Sequence, residues 1–124
     1  MRFTLEFADS EVRDVTAHGD AVRVRFAAAA VHGEAGERGW LPGVVLTLAE
    51  ATPDGDAAHA FGKLAGGRLR HEGRDITRPA LPGALAGGIE LALRFANGTQ
   101  LSVHARSLAL DVAADARFAE DLSC

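Results

Sequence analysis

Histidine and serine are the residues of this chain best suited to acid–base, nucleophilic or metal chemistry, so their spacing is the first thing to consider. The histidines are scattered, with no two at a spacing that places neighbouring metal ligands together on a strand or helix. None of the serines stands in a G-x-S-x-G nucleophile motif, and the glycines match neither a dinucleotide fingerprint nor a P-loop. The sequence therefore predicts no catalytic residue, no metal and no cofactor, and we expect a protein that is not an enzyme. The alternative is a metal site assembled from histidines of different strands.

One polar row has a spacing that suits ligand binding. Polar residues at positions 100, 102, 104 and 106 alternate with apolar ones, so a strand would place them on one face. Such a row is usually the solvated face of an antiparallel sheet. The alternative is a polar ligand site in which an arginine of the neighbouring strand joins the row as an anion clamp. The candidate ligand-binding residues are Arg94, Ser102, His104 and Arg106.

A second candidate surface is the segment 32–40, which contains three glycines and ends in the only tryptophan, Trp40. Tryptophan is enriched among the residues that dominate protein interfaces, although it is also a common core residue. Glu34 and Glu37 add negative charge to the same segment. We therefore take Trp40, Glu34 and Glu37 as candidate partner-binding residues.

The charge balance favours a basic protein as the partner. The chain has 13 Lys+Arg against 17 Asp+Glu, a formal net charge of -4. A chain without a basic excess gains little from releasing counterions from nucleic acid, so we expect no nucleic-acid partner. An acidic surface instead steers association with a basic protein.

Neither a membrane span nor a secretion signal is expected. The longest apolar run, 26–31, is far shorter than the ~20 residues of a membrane-spanning helix. Glu6 and Asp9 interrupt the N-terminal segment where a secretion signal would be continuously apolar. The sole cysteine, Cys124, excludes an internal disulfide. We therefore expect a cytoplasmic protein without membrane contact.

Apolar residues recur at every second position, the period of half-buried strands, and the intervening segments are rich in Gly, Pro, Asn and Asp. The length suits one domain, 1–124. We predict a single all-β domain, an antiparallel β-sandwich or partly open barrel of about seven to eight short strands. The alternating runs are 3–7, 22–26, 89–95, 101–103 and 108–112.

Turn chemistry predicts the register of two hairpins. A two-residue turn at 19–20 places Asp14 opposite Arg25 and requires a bulge near Arg13. A three-residue turn at 96–98 places apolar residues opposite one another and, on the polar face, pairs Glu90 with His104; a two-residue turn at 97–98 would oppose apolar to polar residues. The parity changes again after Ala105, which predicts a bulge near Arg106 and Ser107.

The remaining segments give weaker patterns. We predict a strand at 44–49, a hairpin through Gly66 and Gly67 that joins 58–64 to 68–71, and a covering loop around Pro79 and Pro82. The segment 27–30 should be a strand whose small side chains let another sheet or loop approach. Residues 9–11 should form a turn fixed by side-chain hydrogen bonds to the backbone. The tail, 113–122, should form one helical turn that pairs Phe118 with Leu122.

The segments 5–12 and 22–26 together resemble small bacterial proteins that begin with a strand, an F-H-D-S corner and a second strand. Some of those proteins look like toxin-immunity proteins. Many of the others have no known role. The corner here reads F-A-D-S, with Ala8 where histidine is frequent, so no role of that histidine transfers to this chain. The resemblance, which covers about the first quarter of the chain, implies in its most concrete form a small protein that binds and inhibits a toxin.

These observations leave three hypotheses. The leading one is a non-catalytic protein-interaction module, in its most concrete form an immunity-type inhibitor whose acidic surface near Trp40 meets a basic toxin. The first alternative is a small-molecule-binding or enzymatic β-barrel, which requires a deep polar pocket holding at least two of Glu90, Arg94, His104 and Arg106. The second alternative is a structural homodimer that pairs exposed strand edges.

Overall fold

The computed structural model describes residues 2–121, and this part of the chain is all-β, as predicted. It contains one turn of 3-10 helix, Ala57–His59, and no α-helix. The eleven strands exceed the predicted number. They are β1 (Phe3–His18), β2 (Ala21–Gly33), β3 (Arg38–Leu41), β4 (Val44–Ala49), β5 (Thr52–Gly55), β6 (Gly62–His71), β7 (Arg74–Ile76), β8 (Ala80–Leu81), β9 (Gly83–Phe95), β10 (Gln100–Val112) and β11 (Ala119–Glu120).

Six of the strands close into an antiparallel barrel in the order β1, β2, β4, β10, β9 and β6. The ring closes because β1 pairs with β2 along one edge and with β6 along the other. The fold is therefore neither a sandwich nor a partly open barrel. Alternating apolar residues are compatible with a sandwich, a partly open barrel and a closed barrel alike. The pairing of β1 with β6 distinguishes the closed barrel from the other two.

The five other strands lie outside this ring and are short. β5 follows β4 along the same edge of β10, and the chain turns between them at Glu50, whose φ is +49°. β7 pairs with β6, and β8 pairs with the start of β1. β3 lies beside β2 and carries β11 on its far side. Strands of two to four residues show too little alternation to be recognised in the sequence.

The barrel interior is filled by the apolar residues that alternate along the strands. They form one contiguous buried cluster to which all six barrel strands contribute. Among the described residues, the one buried polar residue is Ser10. The inward-facing side chains are therefore packing groups, and the polar candidates identified in the sequence lie on the outer surface.

Both predicted hairpin registers are confirmed. Asp14 lies opposite Arg25, with a register shift at Arg13 as predicted, and Arg25 Nε donates a hydrogen bond to Asp14 Oδ1 at 2.7 Å. Glu90 lies opposite His104, and the turn 96–98 places Gly98 at a φ of +92°. A left-handed residue at this position is what the three-residue turn requires.

The predicted irregularity near Arg106 is present, but the extra residue belongs to the partner strand. β10 passes from Ala105 to Ser107 while β9 passes from Ile89 to Ala86, so Gly87 and Gly88 lie opposite Arg106. Gly87 has a φ of +112°, a conformation that side-chain-bearing residues rarely adopt. The parity change on β10 located the bulge but could not show which strand contains the additional residue.

Three local predictions are wrong and one is confirmed. β6 runs without a turn through Gly66 and Gly67, because β9 pairs with it along this length. Ala80 and Leu81 form β8 rather than a loop, because they pair with Thr4 and Phe3 at the start of β1. Pro79 and Pro82 lie just outside this two-residue strand. The described part of the tail contains a turn and β11 instead of a helical turn; Cys124 and the predicted Phe118–Leu122 contact lie outside the described residues. The strand at 44–49 is confirmed as β4.

The Asp14–Arg25 pair gives a prediction about pH. The hydrogen bond from Arg25 lowers the pKa of Asp14 below its ordinary value. The stabilisation by this pair is therefore complete above the ordinary pKa of a free aspartate and is lost as the pH falls through the lowered pKa. We expect Arg25→Gln to return the pKa of Asp14 towards its ordinary value in a carbon-detected NMR titration. Arg23→Gln, on the same face of β2, should leave it lowered, and an equal change in both variants would contradict the assignment.

Candidate functional site

A four-residue bulge interrupts the pairing of β1 with β2. The ladder runs to Glu6 opposite Ala30 and resumes with Glu11 opposite Ala28, so residues 7–10 of β1 correspond to Ala29 alone. Within the bulge, Asp9 has a φ of +70°, which a non-glycine residue adopts only where the surrounding structure holds it. A bulge of this size changes the direction of the strand and separates the two acids at its ends.

Ser10 satisfies the backbone groups that this bulge leaves without a ladder partner. Its hydroxyl is fully buried, donates to the carbonyl oxygen of Glu6 at 2.6 Å and accepts from the amide nitrogen of Ala30 at 2.8 Å. A buried backbone group without a partner is costly, so this bridge stabilises the bulge. The predicted turn at 9–11 is wrong, because these residues lie within β1 at its bulge. The predicted side-chain bond to a backbone amide is present at Ser10, and the amide is that of Ala30 on β2.

A groove opens on the outer face of the barrel beside the bulge. Glu6, Ala30, Trp40 and Ala119 lie in one row across β1, β2, β3 and β11. Because β2 presents small side chains here, its surface is lower than that of the flanking strands, as the small residues of 27–30 predicted. The resulting cavity of about 500 Å³ is called the acidic groove below. Its main lining residues are Glu6, Asp9, Glu11, Ala28, Ala30, Arg38, Trp40, Lys63 and Asp121.

The acidic groove carries more negative than positive charge, with four carboxylates against one arginine and one lysine. Lys63 Nζ lies 3.3 Å from Asp9 Oδ1, and Glu6 Oε2 lies 2.7 Å from His32 Nε2. Within residues 2–121, the carboxylate of Glu11 has neither an ion pair nor a hydrogen bond. Glu11 is therefore available to a cation that enters the groove.

Trp40 is half-buried and forms the wall opposite the bulge. Its strand, β3, is held by β2 on one side and by β11 on the other. The backbone beside it is closely packed, because a Cβ on Gly39 would lie 2.2 Å from the carbonyl oxygen of Ala119. The ring of Phe118 extends this packing to the barrel, with its centroid 5.2 Å from that of Phe3. The tryptophan is thus presented on a fixed surface.

The predicted partner-binding residues are divided by the structure. Trp40 lines the acidic groove, whereas Glu34 and Glu37 lie in the turn between β2 and β3 and do not. Glu37 Oε1 accepts a hydrogen bond from the amide of Ala35 at 2.9 Å, so this carboxylate supports the turn. The acids that do line the groove come mainly from β1, where the sequence predicted a strand at 3–7 and a turn at 9–11 but no site.

The predicted ligand-binding residues lie on the outer face of β9 and β10 and do not converge on one deep pocket. Arg94 and Ser102 line one shallow cleft, and His104 and Arg106 line a neighbouring one. His104 Nε2 lies 3.4 Å from Glu90 Oε1, and the His104 side chain is 65% exposed. The row is thus the solvent-facing side of the sheet, with concave regions between its side chains.

Other kinds of site receive no positive indication. The described part of the chain contains no group of three or more His, Cys, Asp or Glu residues placed to hold a metal ion. No helix within it has the length and hydropathy needed to cross a membrane. Comparison with known proteins gives no match, whether to a protein-family model, to a curated protein or to a solved structure. The geometry of the surface is therefore the basis for assigning a function.

The Ser10 bridge predicts a specific loss of stability. Ser10→Ala removes the acceptor of the buried Ala30 amide, so we expect the free energy of unfolding to fall by about 1–3 kcal/mol in urea titrations. Ser107→Ala is the matched control, because the Ser107 hydroxyl has no hydrogen bond within residues 2–121. It should cost less than about 0.5 kcal/mol. Equal losses in the two variants would show that the bridge does not stabilise the bulge.

The charge of the groove can be measured through its tryptophan. Trp40 is the only tryptophan, so its fluorescence reports on this site alone. At low ionic strength we expect caesium to quench Trp40 more strongly than iodide, each relative to a free tryptophan derivative, because the surrounding carboxylates attract cations. Glu11→Gln should narrow the difference, and Glu50→Gln, outside the groove, should not. Stronger quenching by iodide in the unmodified protein would contradict the charge assignment.

Proposed function

We propose that this chain is a non-catalytic protein-interaction module whose acidic groove binds an extended basic segment of a protein partner. The observation that carries the proposal is that the carboxylate of Glu11, unpaired within residues 2–121, lines the same groove as Trp40, with the small residues Ala28 and Ala30 of β2 between β1 and β3. This arrangement combines a charge, an aromatic wall and an apolar floor at one concave site. Each of these features favours the same kind of side chain, one with an apolar stem and a cationic end.

The charges of the groove favour a cationic occupant. Glu6, Asp9 and Glu11 lie along one side. Of the two cations that line the groove, Arg38 and Lys63, the lysine contacts Asp9 alone among the described carboxylates. Complementary charge of this kind increases the rate of encounter and disfavours acidic competitors. The net charge of -4 also attracts a basic partner at long range.

The shape of the groove suits an arginine or lysine of an extended segment. A volume of about 500 Å³ is within the range of small binding pockets and can take one or two long side chains. The stem of such a side chain would pack on Ala28 and Ala30, and its cationic end would lie near Glu11 and the face of Trp40. Cation–π contact with tryptophan strengthens binding of this kind.

In its most concrete form, the proposal is an immunity-type inhibitor that neutralises a basic toxin. The F-A-D-S corner that carries the resemblance to such proteins consists of residues 7–10, which are the bulge beside the groove. The resembling residues therefore coincide with the surface proposed to bind. A cytoplasmic location belongs to the same proposal.

A homodimer paired through strand edges is less favoured as the function. The barrel strands are closed into a ring, and the strands outside the ring have two to four residues each. Short edges offer few hydrogen bonds to a second copy. Self-association is therefore an outcome that the binding experiment must exclude.

The proposal is tested by titrating the protein into fluorescein-labelled hexa-arginine peptide, with a hexa-glutamate peptide as the charge control, and following anisotropy at low salt. We expect saturable binding of the basic peptide alone. Trp40→Ala and Glu11→Gln should each weaken it, Trp40→Ala by roughly tenfold or more, as loss of an interface anchor does.

Glu50→Gln is the matched control for Glu11→Gln, because it removes one exposed carboxylate outside the groove. Equal affinities of these two variants would mean that the peptide responds to net charge alone, and the proposal would fail. It would also fail if light scattering showed a dimer of the free protein that Trp40→Ala dissociates, because a second copy would then occupy the groove.

A further inference from the structure

Outside the acidic groove, the outer face of β6, β9 and β10 forms a regular array. β6 pairs with β9 without a register shift from Gly66 to His71, and β10 pairs with β9 without one from Gln100 to Ala105. Each outward side chain of β9 in this region therefore has defined neighbours on both sides. Three successive rows read Gly66–Arg94–Gln100, Arg68–Ala92–Ser102 and Arg70–Glu90–His104. Gly66 on β6 and Ala92 on β9 are small residues in successive rows of this array.

The small residues leave a cleft of about 370 Å³ between polar side chains. Its floor is the backbone of β6 and β9 at Gly66, Gly67 and Ala92. Its polar rim consists of Arg68, Arg94, Gln100 and Ser102, and no carboxylate of residues 2–121 lines it. We call this the basic cleft.

Arg94 is the cation that the basic cleft leaves unpaired. Its guanidinium has neither an ion pair nor a hydrogen bond within the described chain. It lies over the backbone of Gly66, where Nη2 is 2.9 Å from the position that a Cβ would occupy. Because Gly66 has no side chain, the guanidinium of Arg94 can lie against its backbone in the cleft.

The other charged groups nearby are already engaged or lie at the margin. Arg68 donates to both carboxylate oxygens of Asp75, at 3.0 and 3.3 Å, and this contact lowers the pKa of Asp75. Glu90 lies against His104. Asp54 is on β5, opposite Ser102, and does not line the cleft. Arg94 thus remains the principal charge available to a ligand there.

We propose that the basic cleft binds the oxyanion group of a small molecule, a phosphate or a carboxylate, through Arg94. The planar guanidinium presents parallel N–H donors that match two oxygens of either group. The Ser102 hydroxyl and the Gln100 amide add donors on the β10 side of the cleft. This site shares no lining residue with the acidic groove, although β6 contributes Lys63 to the groove and Gly66 to the cleft, and it stands independently of the proposed function.

The test is a titration of the ¹⁵N-labelled protein with inorganic phosphate and, separately, with glutarate, each against sodium chloride at equal ionic strength. We expect saturable shifts of the Arg94 side-chain Nε–Hε signal and of the Gly66, Gly67 and Ala92 amides. Arg94→Gln should weaken binding roughly tenfold or more, the loss of a charge-assisted hydrogen bond. Arg23→Gln, which removes an exposed arginine from β2, should leave the affinity unchanged.

The phosphate and glutarate titrations together identify the preferred oxyanion, because the ligand that fits the cleft better should saturate it at a lower concentration. Shifts that follow ionic strength in chloride as well, or that persist unchanged in Arg94→Gln, would overturn the proposal. So would shifts spread over the exposed arginines without a maximum at the cleft. Retention of hexa-arginine binding by Arg94→Gln would show separately that the acidic groove is intact.

Discussion

The hydroxyl of Ser10 links the two strands where their ladder is interrupted, with the carbonyl of Glu6 accepting on one side and the amide of Ala30 donating on the other. Without it, four residues of β1 would leave a buried amide unpaired at the edge of the core. Because the bridge fixes both ends of the bulge, it also fixes the separation of Glu6 and Glu11. The position of the acidic groove on the barrel is thus set by one buried side chain.

Closure of the barrel determines why the polar chemistry of this chain lies on its surface. The inward-facing positions of the six barrel strands are occupied by apolar residues, so the interior is used for packing. Concave sites then arise where outward side chains are small. Ala28 and Ala30 on β2 open the acidic groove, and Gly66 and Ala92 open the basic cleft. The two sites carry opposite charge, which favours ligands of different kinds.

The parts of the fold that could be predicted are those controlled by local turn chemistry and parity. The Asp14–Arg25 and Glu90–His104 pairings follow from short turns whose register leaves one acceptable arrangement. Closure of the barrel could not be predicted in this way, since it depends on β1 meeting β6 across fifty residues of chain. For the site, Trp40 and the small segment 27–30 were recognisable, whereas Glu6, Glu11 and Lys63 are brought together only by long-range pairing.

The central claim is that Ser10 completes the β1–β2 ladder and so holds the groove open. Amide hydrogen exchange at Ala30, followed by NMR, tests it most directly. We expect the Ala30 amide to exchange as slowly as amides in the middle of β9, such as that of Leu91, because it is buried and donates to Ser10. Exchange of the Ala30 amide as fast as that of the exposed turn at 34–36 would contradict it.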